Sequence, residues 1–269
     1  MKYLLTFIKK ILNKTIVAFI TVSLIIIVTW AAAYSITMNK NYYRHQFEKN
    51  DTASTLHWVY QDKDSGDRIY KSYDEDDLEK IMNQIVDYLA NKEESMQVID
   101  DEGMNVFSNQ ALKHMADVKK AYNHFMVLAI VLLVLIIPMF IYLHFNFKDI
   151  KSSIKKQLIW TFSIIFGLLL ILAVMMLIDD DWTFTQFHHI LFPNKQSFED
   201  AFFSRESHYE EEYYINNLLL VQILTLDIFI DAAWIIIASI VVCTGAYLFI
   251  LLTTLSKRNK KDLELNTEN

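Results

Sequence analysis

The sequence contains very few of the residues that crosslink or bend a chain: one cysteine, two prolines and four glycines among 269 residues. A single cysteine excludes an internal disulfide, so any loop outside a membrane must keep its shape by packing and hydrogen bonds. There is no G-x-S-x-G motif and no glycine-rich phosphate loop. The chain therefore lacks the usual sequence signatures of a serine nucleophile and of a nucleotide site.

An excess of positive charge is also missing, since the formal net charge is −7. Nucleic-acid binding needs concentrated positive charge, so we predict no nucleic-acid partner. Apolar residues are abundant instead, at 53% of the chain. This composition favours an integral membrane protein over a soluble domain.

Four stretches without Asp, Glu, Lys or Arg are each long enough to cross the hydrocarbon core as a helix, which takes roughly 20 residues. The first follows several lysines, but it is too long for a signal peptide and lacks a clear cleavage site, so we interpret it as a signal anchor. The four predicted transmembrane helices are Thr15–Asn39, Phe125–Phe147, Gln157–Ile178 and Ala232–Ser256.

Lysine and arginine cluster in three segments that share one side of a four-span topology, and these are residues 1–14, 148–156 and 257–269. Since basic residues favour the cytoplasmic side, both termini are predicted to be cytoplasmic. The two long loops, residues 40–124 and 179–231, are then extracytoplasmic. The predicted fold class is an all-α membrane protein, a four-transmembrane-helix bundle, with a small mixed α/β extracytoplasmic domain between spans one and two.

The first long loop carries local structural signals. Asn41–Gly66 contains the alternating pattern of a short strand, and Ser72 with Glu75 fits a capping box. Apolar residues then recur at helical spacing, which predicts an amphipathic helix over residues 73–91. Residues 96–99 and 104–107 are predicted to form a hairpin, and a helix is predicted to run from Ser108 into span two.

The second long loop contains an apolar segment, Leu218–Ile230, that is too short to span a bilayer. Its position immediately before span four suggests an interfacial or re-entrant segment.

His114 is a candidate catalytic residue because Asp117 follows it by three residues, on the same face of the predicted helix. A carboxylate at this spacing can raise the basicity of an imidazole or fix its tautomer. The alternative interpretation is a solvated pair on a helix surface, and the spacing alone favours that alternative.

His188 and His189 lie between apolar residues just after span three. A titratable group at the membrane surface is costly to bury and is therefore a functional candidate. A histidine that anchors to lipid headgroups is one alternative. A metal site formed by His188, His189, His208 and Glu210 is another, although no standard ligand spacing supports it.

Three blocks of sequence stand out in combination: His114-Met115-Ala116-Asp117-Val118-Lys119, Phe187-His188-His189-Ile190-Leu191-Phe192 and Phe229-Ile230-Asp231-Ala232-Ala233. In this order they resemble the first, second and third blocks of a Firmicute integral membrane family, the lipoprotein intramolecular transacylases. The order of four spans matches as well. A tryptophan usual after the second block and a proline usual before the third are absent here.

The resemblance implies a bacterial plasma-membrane enzyme that makes lyso-form lipoproteins. An acyl chain is then expected to move from the sn-2 oxygen of the diacylglyceryl group to the α-amine of the same lipoprotein's N-terminal cysteine. His188 and His114, with Asp117, are the expected catalytic residues, and no cofactor or metal is expected. The expected partners are a diacylglyceryl-modified lipoprotein and membrane lipid.

Two other classes remain open from the residues alone. The first is a sensor or interaction protein that binds an envelope partner through the acidic face around Asp74–Glu79. The second is a metal-dependent membrane hydrolase that uses the histidines of the second long loop.

Overall fold

The computed structural model describes residues 2–55, 58–62, 64–70, 73–100, 103, 105–145, 147–191, 213–215 and 219–267. Helices dominate. The elements, in chain order, are α1 (Lys2–Thr37), α2 (Lys40–Asn50), α3 (Thr52–Thr55), β1 (Trp58–Asp62), β2 (Arg68–Tyr70), α4 (Glu75–Leu89), α5 (Asn109–Phe145), α6 (Phe147–Ile178), α7 (Asp180–Leu191), β3 (Tyr213–Ile215), α8 (Leu219–Ile223) and α9 (Leu226–Thr267).

The chain divides into two compact units. Unit 1 comprises residues 1–32, 126–180 and 235–269, and unit 2 comprises residues 33–125 and 181–234. Unit 2 thus combines segments from both long loops of the sequence.

Unit 1 consists of long apolar helices. Within the described residues, three helical stretches are long and apolar enough to cross a membrane: Tyr3–Thr37, Asn109–Leu143 and Leu226–Tyr247. A further apolar stretch, Phe162–Ile178, is shorter. The protein is therefore mostly helical with three membrane-crossing candidates among the described residues. Span three, predicted at Gln157–Ile178, stays a prediction, and so does the total of four spans.

Unit 2 is built around one hydrophobic core. Helix α4 supplies much of it, and the five apolar residues that the helical spacing singled out, Leu78, Ile81, Met82, Ile85 and Leu89, are all buried. The predicted amphipathic helix is confirmed, with ends at Glu75 and Leu89.

The predicted capping box was wrong by two residues. Asp74 caps α4, because its side chain accepts from the Asp77 backbone N–H at 2.9 Å while Asp77 accepts from that of Asp74 at 3.3 Å. Ser72 lies outside the described residues. Ser72-x-x-Glu75 and Asp74-x-x-Asp77 both have acceptor side chains at this spacing, so the pattern alone did not decide between them.

A small antiparallel sheet has the strand order β2-β1-β3. Asp62 Oδ1 accepts from the backbone N–H groups of Asp64 and Ser65, at 2.9 and 2.7 Å, and closes the turn between β1 and β2. Tyr60 of β1 pairs with Ile215 of β3, so a strand from each long loop meets in this sheet. The strand signal in Asn41–Gly66 applies only to its second half, because α2 occupies residues 40–50.

The predicted hairpin contains an antiparallel bridge between Ile99 and Asn105, with a bond from Val106 N–H to Val98 C=O of 2.9 Å. Gly103 has a φ of +83° in the turn, which suits a residue without a Cβ. The side chain of Gln97 completes the pairing by bonding both backbone groups of Phe107, at 2.8 and 3.0 Å.

The apolar segment before span four serves the core of unit 2. Leu220, Ile223 and Ile228 are 4%, 0% and 2% exposed, and all three belong to the core cluster. Packing into this core accounts for the apolar character of these residues, because side chains in a protein core need the same apolar character as side chains in lipid. The interfacial or re-entrant interpretation stays a prediction.

Candidate active site

Helix α5 places His114 in its second turn. Ser108 Oγ accepts from the Ala111 N–H at 3.2 Å and caps the start of the helix. His114 is 3% exposed, between the core residues Ala111 and Met115. The imidazole is therefore held in the buried layer of unit 2, where an electrostatic interaction is stronger than in water.

Asp117 follows one turn later and is partly exposed. The pairing of His114 with Asp117 stays a prediction from their spacing. Beyond them, Lys119 lies over the ring of Tyr88 at 3.9 Å and donates to the Glu93 carbonyl at 3.3 Å. These contacts hold the first turns of α5 against the end of α4.

Helix α7 carries His188 and His189. Thr183 is buried, His189 is half-buried, and Trp182 is 52% exposed. The His188 side chain lies outside the described residues, although its backbone continues α7. The ring of Phe184, one helical turn earlier, lies 6.0 Å from the ring of Phe229 at the start of α9.

The start of α9 is also bound to α2. Tyr42 donates its hydroxyl to the Ile228 carbonyl at 2.7 Å, and Gln46 Nε2 donates to Asp231 Oδ2 at 2.9 Å. Lys49 forms an ion pair with the same carboxylate oxygen. Burial, followed by the negative charge of Asp231, raises the pKa of Tyr42 to about 12, so its hydroxyl remains a donor at neutral pH.

Sequence reasoning missed the role of α2. A signal was available, since Tyr42, Gln46 and Lys49 repeat at the spacing of one helix face.

Residues of all three singled-out blocks, His114, His188 and Asp231, fall in unit 2. Two of the four ligands considered for a metal site, His208 and Glu210, lie outside the described residues. Among the residues with described side chains, no group of three His, Cys, Asp or Glu could hold a metal ion.

Unit 2 has a small cavity and an open polar surface along α4. The cavity of about 30 Å³ lies between α4 and the hairpin, with room for one water. The open surface is the polar face of α4 itself. That face is partly neutralised, because Arg44 pairs with Glu79 at 3.0 Å and Lys40 with Asp87 at 3.1 Å. Neither surface is lined by His114 or His189.

Comparison with known families identifies the chain. A model of the lipoprotein intramolecular transacylase family, Lit, matches residues 16–197, which is more than half of the sequence. The chain belongs to this family. It is thus an integral membrane enzyme, a lipoprotein transacylase, as the resemblance implied.

Solved structures agree in fold. The membrane-integral lipoprotein intramolecular transacylase Lit from Bacillus cereus is 17% identical, with a TM-score of 0.61 over 93% of this chain and 98% of that one. A histidine-to-arginine variant of it gives 15% identity and a TM-score of 0.60 over 97% and 100% of the two chains. A histidine-to-alanine variant gives 15% and 0.59 over 95% and 98%. The search of curated protein sequences gave no match.

Proposed function

We propose that this Lit family member transfers the sn-2 acyl chain of a diacylglyceryl lipoprotein to the α-amine of the same lipoprotein's N-terminal cysteine. The product is the lyso-form lipoprotein. The family match carries the proposal. The presence of His114 and of helix α7, with His188, in one compact unit supports it.

The reaction suits a chain without a recognisable nucleophile motif, because the amine of the substrate is itself the nucleophile. The amine nitrogen attacks the ester carbonyl carbon, a C–N bond forms, and the C–O bond to the sn-2 oxygen breaks. An α-amino group has a pKa of about 7.7–8, so a base near neutrality must take its proton. His188 is the proposed base, and it then delivers the proton to the departing glycerol oxygen.

The carbonyl oxygen gains negative charge during the attack and needs a hydrogen-bond donor. His114, oriented by Asp117, is the proposed donor. The burial of His114 supports this role, because a fixed donor in a site shielded from water stabilises an oxyanion more than one in solution. Since ester and amine share one molecule, holding them in contact contributes several kcal/mol more, on the order seen for intramolecular reactions.

The proposed topology has four spans with both termini in the cytoplasm and unit 2 on the extracytoplasmic side. The basic segments at residues 9–14, 148–156 and 257–261 support this orientation. A lipoprotein anchored in the outer leaflet then presents its ester and its amine on the same side of the membrane as His114 and His188.

Mass spectrometry of lipoprotein N-termini tests the reaction. Expression of the chain in a host that makes diacylated, free-amine lipoproteins is expected to move one acyl group to nitrogen and leave one on the glycerol. Unchanged termini would contradict the proposal.

The residue roles are tested with purified chain and a diacylated lipopeptide. Replacing His188 or His114 with Ala is expected to lower kcat by about 10²–10⁴-fold, the usual contribution of general acid–base catalysis. His124→Ala is the matched control, because His124 is exposed on the same helix as His114. Wild-type activity in His188→Ala would rule out the base assignment.

A further inference from the structure

Asp231, in the third block, has no part in the proposed chemistry, yet it joins distant segments of the chain. It lies in the second turn of α9, and its Oδ2 accepts hydrogen bonds from Gln46 Nε2 and Lys49 Nζ. These partners precede it by 185 and 182 residues. The carboxylate therefore connects α2 to the start of α9, the last helix of the chain.

The first turns of α9 contact three different neighbours. Asp231 meets α2, Ile228 enters the core that also contains Met115, and the ring of Phe229 contacts Phe184 of α7. Residues two apart on a helix lie roughly 200° apart, so Phe229 and Asp231 point to opposite sides. The start of α9 thus sits between α2 and the helix that carries His188.

The contacts of Asp231 are suited to orientation more than to stability. The Lys49 and Asp231 side chains are 48% and 33% exposed, and exposed ion pairs contribute little to folding. Gln46 differs, because it is only 3% exposed and its amide relies on the carboxylate as acceptor. The bond from Tyr42 to Ile228 adds a second link between the same two helices.

We propose that Asp231 is a positioning residue: by binding Lys49 and Gln46 it holds the start of α9 against α2, and through Phe229 and Phe184 it sets the orientation of helix α7. This inference rests on the proposed function, in which α7 carries the base. A displacement of about 1 Å at a reacting group can lower a rate by about 10²-fold, so a small shift of α7 is enough to be measured.

The test measures kcat and KM of the purified full chain on a diacylated lipopeptide. Asp231→Asn keeps an acceptor for Gln46 and removes the ion pair, so we expect kcat to fall about 10-fold with KM within twofold. Lys49→Gln removes the same ion pair from the other partner and should give the same loss. Asp231→Glu, which keeps the charge, should stay within threefold of the wild-type kcat.

Asp87→Asn is the matched control. Asp87 also joins two lysines, Lys40 and Lys92, and its side chain is 26% exposed, but its pairs do not involve α9. We expect its kcat to equal that of the wild type.

Each contrary result overturns the inference. A wild-type kcat in Asp231→Asn and Lys49→Gln would show that the ion pair positions nothing. A rise in KM with kcat unchanged would assign Asp231 to substrate binding, and an equal loss in Asp87→Asn would indicate a general charge effect. Failure of the wild-type chain to move the acyl group would instead contradict the proposed function itself.

Discussion

Units 1 and 2 use the same apolar residue types in opposite ways. In the candidate spans of Tyr3–Thr37, Asn109–Leu143 and Leu226–Tyr247, only 22%, 17% and 11% of the most apolar stretch is buried. Unit 2 gathers its apolar side chains into one core, with Leu78 and Ile223 fully enclosed. Helices in lipid gain nothing from hiding leucine, whereas a domain in water depends on it.

The difference also explains where polar contacts are found. Unit 2 contains the ion pairs of Lys40, Arg44, Lys49 and Lys92, and the side-chain bonds that close its turns. In unit 1, hydroxyl side chains bond the backbone of their own helix, as Thr21 Oγ1 donates to the Val17 carbonyl at 2.8 Å. A catalytic group of histidine and carboxylate side chains is therefore expected in unit 2, where charged side chains find ion-pair and hydrogen-bond partners.

The comparison predicts its largest effect in the core of unit 2. Leu78→Ala is expected to lower the free energy of unfolding by about 2–5 kcal/mol, because it removes a fully buried side chain and leaves a cavity. Leu133→Ala, at a position 49% exposed in a candidate span, should lower it by less than about 1 kcal/mol. Unfolding of the purified chain in detergent measures both, and equal losses would contradict the contrast between the units.

A smaller effect is expected at Gln97, which bonds both backbone groups of Phe107. Phe107 is 1% exposed, so Gln97→Ala leaves a buried N–H and C=O unpaired. The expected loss is about 1–3 kcal/mol in the free energy of unfolding. Gln84→Ala is the control, because its bond to the Ser95 carbonyl is exposed. A loss no larger than in that control would show that water replaces the Gln97 bonds.

The cap of α4 should contribute less again. Asp74→Ala removes the acceptor for the Asp77 N–H and is expected to cost about 1 kcal/mol. Asp76→Ala, in the same turn but outside the box, is the matched variant. If both variants lose the same free energy, the charge of the first turn is responsible rather than the cap.

The smallest effect is a pH dependence at Asp87. Hydrogen bonds from Lys40, the larger cause, and from Lys92 lower the pKa of its carboxyl. A lowered folded-state pKa stabilises the protein above the ordinary carboxyl pKa of about 3.9, and the contribution is lost as pH falls through the folded-state value. Asp87→Asn should therefore be less stable than wild type by at most about 1 kcal/mol at pH 7. The difference should vanish in acid, and a constant difference across the pH range would contradict this cause.

The spacing of apolar residues was sufficient to predict a helix where one face of the helix packs into a core and the other is exposed to water. The spacing of Leu78, Ile81 and Ile85 predicted α4, and the continuous pattern after Ser108 predicted α5. Segments in which nearly every residue is apolar were harder to interpret. The apolar character of Leu218–Ile230 suits lipid and a protein core equally, so the sequence alone did not predict that Leu220, Ile223 and Ile228 pack into the core of unit 2.

The sequence by itself determined that this is a mostly helical membrane protein, and its blocks around His114 and His188 indicated the family that the comparison confirmed. Those properties depend on composition, local spacing and short motifs. Tertiary structure alone decided that both long loops form one unit, and that Gln46 and Lys49 meet a carboxylate more than 180 residues later. Such contacts depend on how the helices pack, which no local pattern encodes.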